Sequence, residues 1–106
     1  MRLLLDESVP HRLRRALPEH VVKTVVEMGW SGVKNGPSLA IAATEFDVFV
    51  TVDKNLPYHQ NVATLPIAVV VLSARSNELH ALLPLMPRLE EAIAVLAPRT
   101  LVLIGE

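Results

Sequence analysis

Two short apolar runs that each end in an acid constrain this chain most: Leu3-Leu4-Leu5 leads into Asp6-Glu7, and Val48-Phe49-Val50-Thr51-Val52 leads into Asp53. Such runs, without polar alternation, are the pattern of strands buried on both faces, as in a parallel sheet covered by helices on each side. These sheets bind ligands outside the carboxyl ends of their strands, so both acids are expected at one crevice. Two unit charges about 4 Å apart repel by roughly 4 kcal/mol at an effective dielectric of about 20. Carboxylates brought that close need a cation, a basic neighbour or a shared proton. Each acid alone could instead cap the helix that follows its strand.

A length of 106 residues with 51% hydrophobic content fits one domain, residues 1–106, with a real core. No apolar stretch approaches the roughly 20 residues that cross a bilayer, and no basic segment followed by an apolar one opens the chain. A soluble, cytoplasmic protein without membrane contact is therefore expected. Without cysteine there is no disulfide framework and no thiolate ligand, which leaves His, Asp, Glu and Asn as candidate metal ligands. The net charge of -1 gives no broad positive field, so any nucleic acid must bind a local patch. Arg2, Arg12, Arg14 and Arg15 cluster near the first strand, with Lys34 and Lys54 in other loops. They could equally form an ordinary solvated face. Trp30, Phe46, Phe49 and Tyr58 are the only aromatics, too few to suggest a base-stacking platform.

After the first strand, Ser8 can cap a helix with Pro10 in its first turn and Val9, Leu13, Ala16 and Leu17 at helical spacing, ending by Pro18. His20 to Val25 reads as a β-branched strand, followed by a break at Gly29 and Gly32. Asn35 to Ser38 opens a helix with Leu39, Ala40, Ala42 and Ala43 on a small apolar face, and Val48 to Val52 is the third strand. A polar loop runs from Asp53 to Asn61, and a fourth strand spans Ile67 to Leu72. Ser76 or Asn77 caps a helical region through about Leu96, split or kinked by Pro84 and Pro87. Thr100 to Ile104 closes as a fifth strand. Strands alternating with helices predict a three-layer α/β/α sandwich around a mostly parallel sheet of four to five strands.

That topology sorts the acids. Asp47 precedes the third strand and belongs at the opposite edge from Asp53, as a structural or surface charge. Glu27 can reach the crevice, whereas Glu45, Glu78, Glu90 and Glu91 read as solvated charges. Asp6 and Asp53, with Glu7 beside them and Asn55 as a neutral oxygen donor, suit Mg2+ or Mn2+, which prefer oxygen ligands and retain several waters. The matching chemistry is phosphodiester hydrolysis, with Lys54 and Arg12 or Arg15 approaching phosphate. His11, His20, His59 and His80 show no helical zinc spacing and read as surface residues, His59 alone lying in the polar loop. No nucleophile elbow or glycine-rich phosphate loop is present.

The opening Met1 to Pro10, the segment His20 to Val25, and Phe46 to Asn55 resemble the small stand-alone PIN-like proteins of bacteria and archaea. The Leu-Asp-Glu opening and the Thr-x-Asp-Lys-Asn strand ending carry the resemblance most specifically. It implies a PIN-like sandwich, a magnesium- or manganese-dependent ribonuclease activity with RNA as substrate, and a toxin role beside a small antitoxin protein. Asp6, Asp53 and Glu7 then take the catalytic positions. The chain departs from the pattern at Pro37 and Asn55, where relatives carry acids. A non-catalytic PIN-like binding module is therefore a competing expectation, and a homodimer is open to a chain of this size. A response-regulator receiver is the other, since it too has an acidic pair after the first strand and an aspartate after the third. Ser73-Ala74 adds to that likeness, whereas the final strand lacks the receiver's lysine.

Overall fold

The computed structural model describes the backbone of residues 1–31, 35–59 and 61–105, with the side chains of these apart from 35–38, 58, 59 and 62. Five strands, β1 (Arg2–Leu5), β2 (Val21–Thr24), β3 (Val48–Thr51), β4 (Ala68–Ser73) and β5 (Leu101–Gly105), form one sheet in the order β2-β1-β3-β4-β5. Every neighbouring pair is parallel. The expected sheet is thus present with all five strands, all of them parallel among the described residues.

The apolar runs divide between two cores by the alternation of strand side chains. Leu3, Leu5, Val48, Val50, Val70 and Leu72 pack on one face with Leu13, Leu17, Leu82, Leu89 and Ile93. Leu4, Phe49, Val69 and Val71 pack on the other with Leu39, Ala42, Phe46 and Leu56. The first face is covered by α3 (Leu79–Leu82), α4 (Met86–Val95) and a short 3-10 helix, the second by α1 (Asn35–Ala42) and a single turn, α2 (Leu56–His59). This is the three-layer arrangement. Trp30 meets Phe46 edge to face, with ring centres 6.1 Å apart, at the margin of the second core. Leu3, Leu4 and Leu5 are each 0% exposed, so truncating one to alanine is expected to cost about 2–5 kcal/mol.

Local structure departs from the sequence expectation in several places. The first connection forms a 3-10 helix over His11–Ala16, with Pro10 as its N-cap and no side-chain cap. Pro10 and Pro18 bracket too few residues for several α-helical turns, and the i to i+3 bonds from Leu13 N–H to Pro10 and from Leu17 N–H to Arg14 use the length available. The apolar face is nevertheless the expected one, since Val9, Leu13 and Leu17 are buried. Ser8 does not cap this helix; its hydroxyl donates to Asp6 Oδ2 at 2.8 Å, a stronger, charged acceptor two residues away. The segment from Asp53 to Asn61 is not wholly loop, because Leu56 is fully buried and anchors α2 against the sheet.

The prolines at 84 and 87 do split the late helical region, into α3, a 3-10 turn at Leu83–Leu85, and α4. Each falls in the first turn of its own segment, where a missing N–H costs no helical bond. Ser76 accepts from the Glu78 N–H, while Glu78 itself occupies the N-cap of α3. The radius of gyration is 12.4 Å, close to the value of about 13 Å for a compact chain of 100 residues. No described helix is long and apolar enough to cross a membrane.

One consequence of the strand order places the site. In the order 2-1-3-4-5 the chain turns from one side of β1 to the other, which puts the topological switch point at the carboxyl ends of β1 and β3.

Candidate functional site

Asp6 follows β1 directly, and its N–H donates to Val50 of β3 at 2.9 Å, extending the ladder by one bond. Its carboxylate is held on both oxygens. Oδ1 accepts the Glu7 N–H at 3.0 Å; Oδ2 accepts the Ser8 hydroxyl at 2.8 Å and the Thr51 hydroxyl at 2.9 Å. A carboxylate offers about four acceptor positions, so Asp6 keeps capacity for one further ligand. Thr51, 0% exposed, also accepts the Asp53 N–H at 3.0 Å. The end of β3 is therefore fastened to Asp6 through one buried hydroxyl. Asp53 Oδ1 accepts the Asn55 N–H at 2.9 Å, and the Asp53 carbonyl accepts the Leu56 N–H, which starts α2.

Beside Asp6 lies a cavity of about 430 Å³ between the ends of β1 and β2. Residues 6–11 and Arg14 form one wall; Thr24, Val26 and Glu27 form the other. Gly29, at φ 76°, lets the chain turn back after β2, closed by bonds from the Met28 N–H to Thr24 and from the Trp30 N–H to Val25. That turn carries Glu27 over the cavity. Glu27 Oε1 accepts Arg14 Nη1 at 2.7 Å and the Thr24 N–H at 3.0 Å, while the Glu27 N–H donates to Thr24 Oγ1 at 3.1 Å. The Arg14 hydrogen bond, opposed by partial burial and aided by the Thr24 N–H, holds the Glu27 carboxyl below its ordinary pKa.

Asp6 and Glu7 both line this cavity, and Glu7 Oε2 accepts the Ser31 hydroxyl at 3.0 Å. Asp53 does not line it but joins Asp6 through Thr51. Lys54 turns toward the end of β4, where its Nζ donates to the Ala74 carbonyl at 3.3 Å. Asn55 is exposed and contributes its N–H to Asp53. Arg12 and Arg15 are exposed on the 3-10 helix and are not part of the cavity wall. Lys34 lies outside the described residues, as do the side chains of Pro37 and His59.

Thr51, Ser8 and Arg14 carry the geometry without having been singled out for it. Thr24-x-x-Glu27 has the spacing of a capping box, and that signal is the one by which the fixed Glu27 could have been found. One further expectation needs correcting. His20 is not a surface residue: its Nε2 bonds Glu90 Oε1 at 2.6 Å with the histidine side chain only 14% exposed, while Glu90, 39% exposed on α4, keeps one side to solvent as expected. The fold brings the two together across 70 residues of sequence. Asp47 behaves as expected, at the opposite edge.

Among the described residues, no three His, Cys, Asp or Glu side chains stand together as a metal cage. Asp6 and Asp53, linked through Thr51, are the two carboxylates that could contribute to an open Mg2+ or Mn2+ site, since such sites often use one or two carboxylates and several waters. A wider depression, about 670 Å³ between residues 63–66 and Pro98-Arg99, lies at the opposite edge and has one charged side chain in its wall. No protein-family model, curated protein or solved structure matches the chain.

Proposed function

We propose that this protein is a PIN-like, divalent-cation-dependent ribonuclease of the cytoplasm, working as the toxin of a pair with a small antitoxin protein. The observation that carries this reading is the Asp6 carboxylate at the switch point of a parallel sheet, ordered by two hydroxyls and one amide beside a cavity. An acid fixed in this way loses little freedom when it takes up a cation. Asp6 and Asp53 would hold Mg2+ or Mn2+, and the cation would supply Lewis-acid polarisation of a phosphoryl oxygen and a more acidic bound water. Thr51 keeps the two acids in register. Glu7, at the cavity wall, is placed to orient a water, and Lys54, Arg12 and Arg15 supply exposed positive charge for the RNA strand leaving the site.

Cleavage of a mixed RNA pool in Mg2+ or Mn2+ tests the reading, with Asp6→Asn and Asp53→Asn as controls. Each variant is expected to lose on the order of 10²–10³-fold in rate, the scale for deleting one electrostatic stabiliser of a transition state. Unchanged cleavage in both would sink the proposal, and cation-independent RNA binding without cleavage would favour a binding module.

The strand order supports one second reading. The order 2-1-3-4-5, with Asp53 after β3 and Ser73 ending β4, is also that of a phospho-accepting receiver. Covalent labelling of Asp53 by acetyl phosphate, abolished in Asp53→Asn, would select it.

A further inference from the structure

We infer that the cavity between β1 and β2 seats one nucleotide of the RNA, that Arg14 grips its phosphate, and that Glu27 is the positioning residue that aims Arg14. The inference rests on the ribonuclease reading but concerns a different set of side chains. Glu27 is fixed at its backbone and side chain by Thr24, and it in turn pins Arg14 Nη1 at 2.7 Å. An arginine has five N–H donors in a rigid fork. Glu27 takes one, and the others are left for an anion, the geometry by which arginine recognises phosphate.

Charge in the cavity wall sets an order of events. Among the described residues that line the cavity, the three carboxylates of Asp6, Glu7 and Glu27 outnumber the one guanidinium, that of Arg14, by two. A phosphate entering alone would be repelled; one divalent cation cancels the surplus. Nucleotide binding is therefore expected only after the cation has bound.

Size and surface point to the same occupant. About 430 Å³ lies within the roughly 300–1,000 Å³ of small-ligand pockets. Val26 is 60% exposed at this wall, and with Pro10 it offers an apolar surface for a ribose or base. Among the described residues, no Phe, Tyr or Trp lines the cavity, and the His11 imidazole is the one ring at its wall.

Uridine 5′-monophosphate, which has no scissile diester, is the probe, with uridine as its phosphate-free control. Calorimetric titration of the wild-type chain is expected to show monophosphate binding in Mg2+, its loss in EDTA, and much weaker binding of uridine. Arg14→Gln is expected to weaken monophosphate binding roughly tenfold or more, and Arg14→Lys to restore part of it through charge without the fork. Glu27→Gln should narrow the preference for monophosphate over uridine, whereas a merely structural role would weaken both ligands alike. Arg99→Gln, in the depression at the opposite edge, should bind as wild type does. Wild-type binding by Arg14→Gln, equal binding in EDTA, or no binding by the wild-type chain would each overturn the inference. Monophosphate binding as expected without RNA cleavage would remove the ribonuclease reading and leave the nucleotide seat. Asp6-dependent cleavage with an indifferent Arg14 would do the reverse.

Discussion

The two ends of the β1–β3 pair are strapped together by the same residue type at the same sequence separation, yet they are built for different work. At the amino end, Asp47 Oδ2 accepts the Arg2 N–H at 2.8 Å, and the Asp47 N–H returns a 2.8 Å bond to the Arg2 carbonyl. At the carboxyl end, Asp6 accepts the Thr51 hydroxyl at 2.9 Å. Both contacts span 45 residues. Asp47 is spent on its neighbour's backbone and a loose ion pair with Arg2, 3.8 Å away at the exposed surface. Asp6 is oriented by side chains and stands at a cavity. A carboxylate that replaces a missing ladder bond is a fastener; one whose fastening comes from neighbouring hydroxyls remains available to a ligand.

Substitutions can break this contrast. The largest effect is expected from Thr51→Val, nearly the same shape without the hydroxyl. It removes the hydroxyl that accepts the Asp53 N–H and donates to Asp6, at a cost of about 1–3 kcal/mol. Because Thr51 orients the proposed metal ligand, cleavage should also fall by roughly 10–100-fold. Urea unfolding beside an RNA cleavage assay reads both, and full activity in this variant would show that Asp6 orients itself.

Glu90→Ala comes next. Among the described residues His20 Nδ1 already has no hydrogen-bond partner, and this change also removes the partner of Nε2. A loss of about 1 kcal/mol is expected, with cleavage unaffected because the pair lies near the start of β2, away from the crevice. Lost activity with unchanged stability would contradict the separation of the two edges. Asp47→Ala should cost less, about 0.5–1 kcal/mol, since its interactions are exposed. It too should leave cleavage intact.

The smallest effect concerns pH. Glu27 has a carboxyl pKa lowered from 4.5 in the folded chain, so its stabilising contribution is present above 4.5 and is lost as pH falls through the lowered value. Thermal melts of wild type and Glu27→Gln should differ at pH 7 and converge at the acid end. A difference that grows below pH 4.5 would mean that another group is responsible. The side chain is 37% exposed, so the separation is expected to shrink in high salt.

Much of the architecture was legible because it follows from short-range rules. Uninterrupted apolar runs predict doubly buried strands, and Leu3, Leu4 and Leu5 reach both cores by simple alternation. Prolines 84 and 87 mark the breaks between helical segments because proline tolerates only the first turn. Ser8 was misread for a physical reason: a serine two residues after an aspartate has a charged acceptor as well as a helix end to serve, and local sequence does not rank them. The partial burial of His20 escaped the sequence because nothing near it signals Glu90, a partner 70 positions away.

The sequence by itself determined the strand set, the parallel layering and the placement of Asp6 and Asp53 at one edge of the sheet, since burial period and strand direction depend on neighbours in the chain. Only the tertiary structure decided which groups those acids meet. Thr51 reaches Asp6 because β1 and β3 are adjacent, and Arg14 reaches Glu27 because the first connection folds back over the end of β2. Contacts between distant segments depend on strand order and on the paths of connections, and no local pattern encodes either.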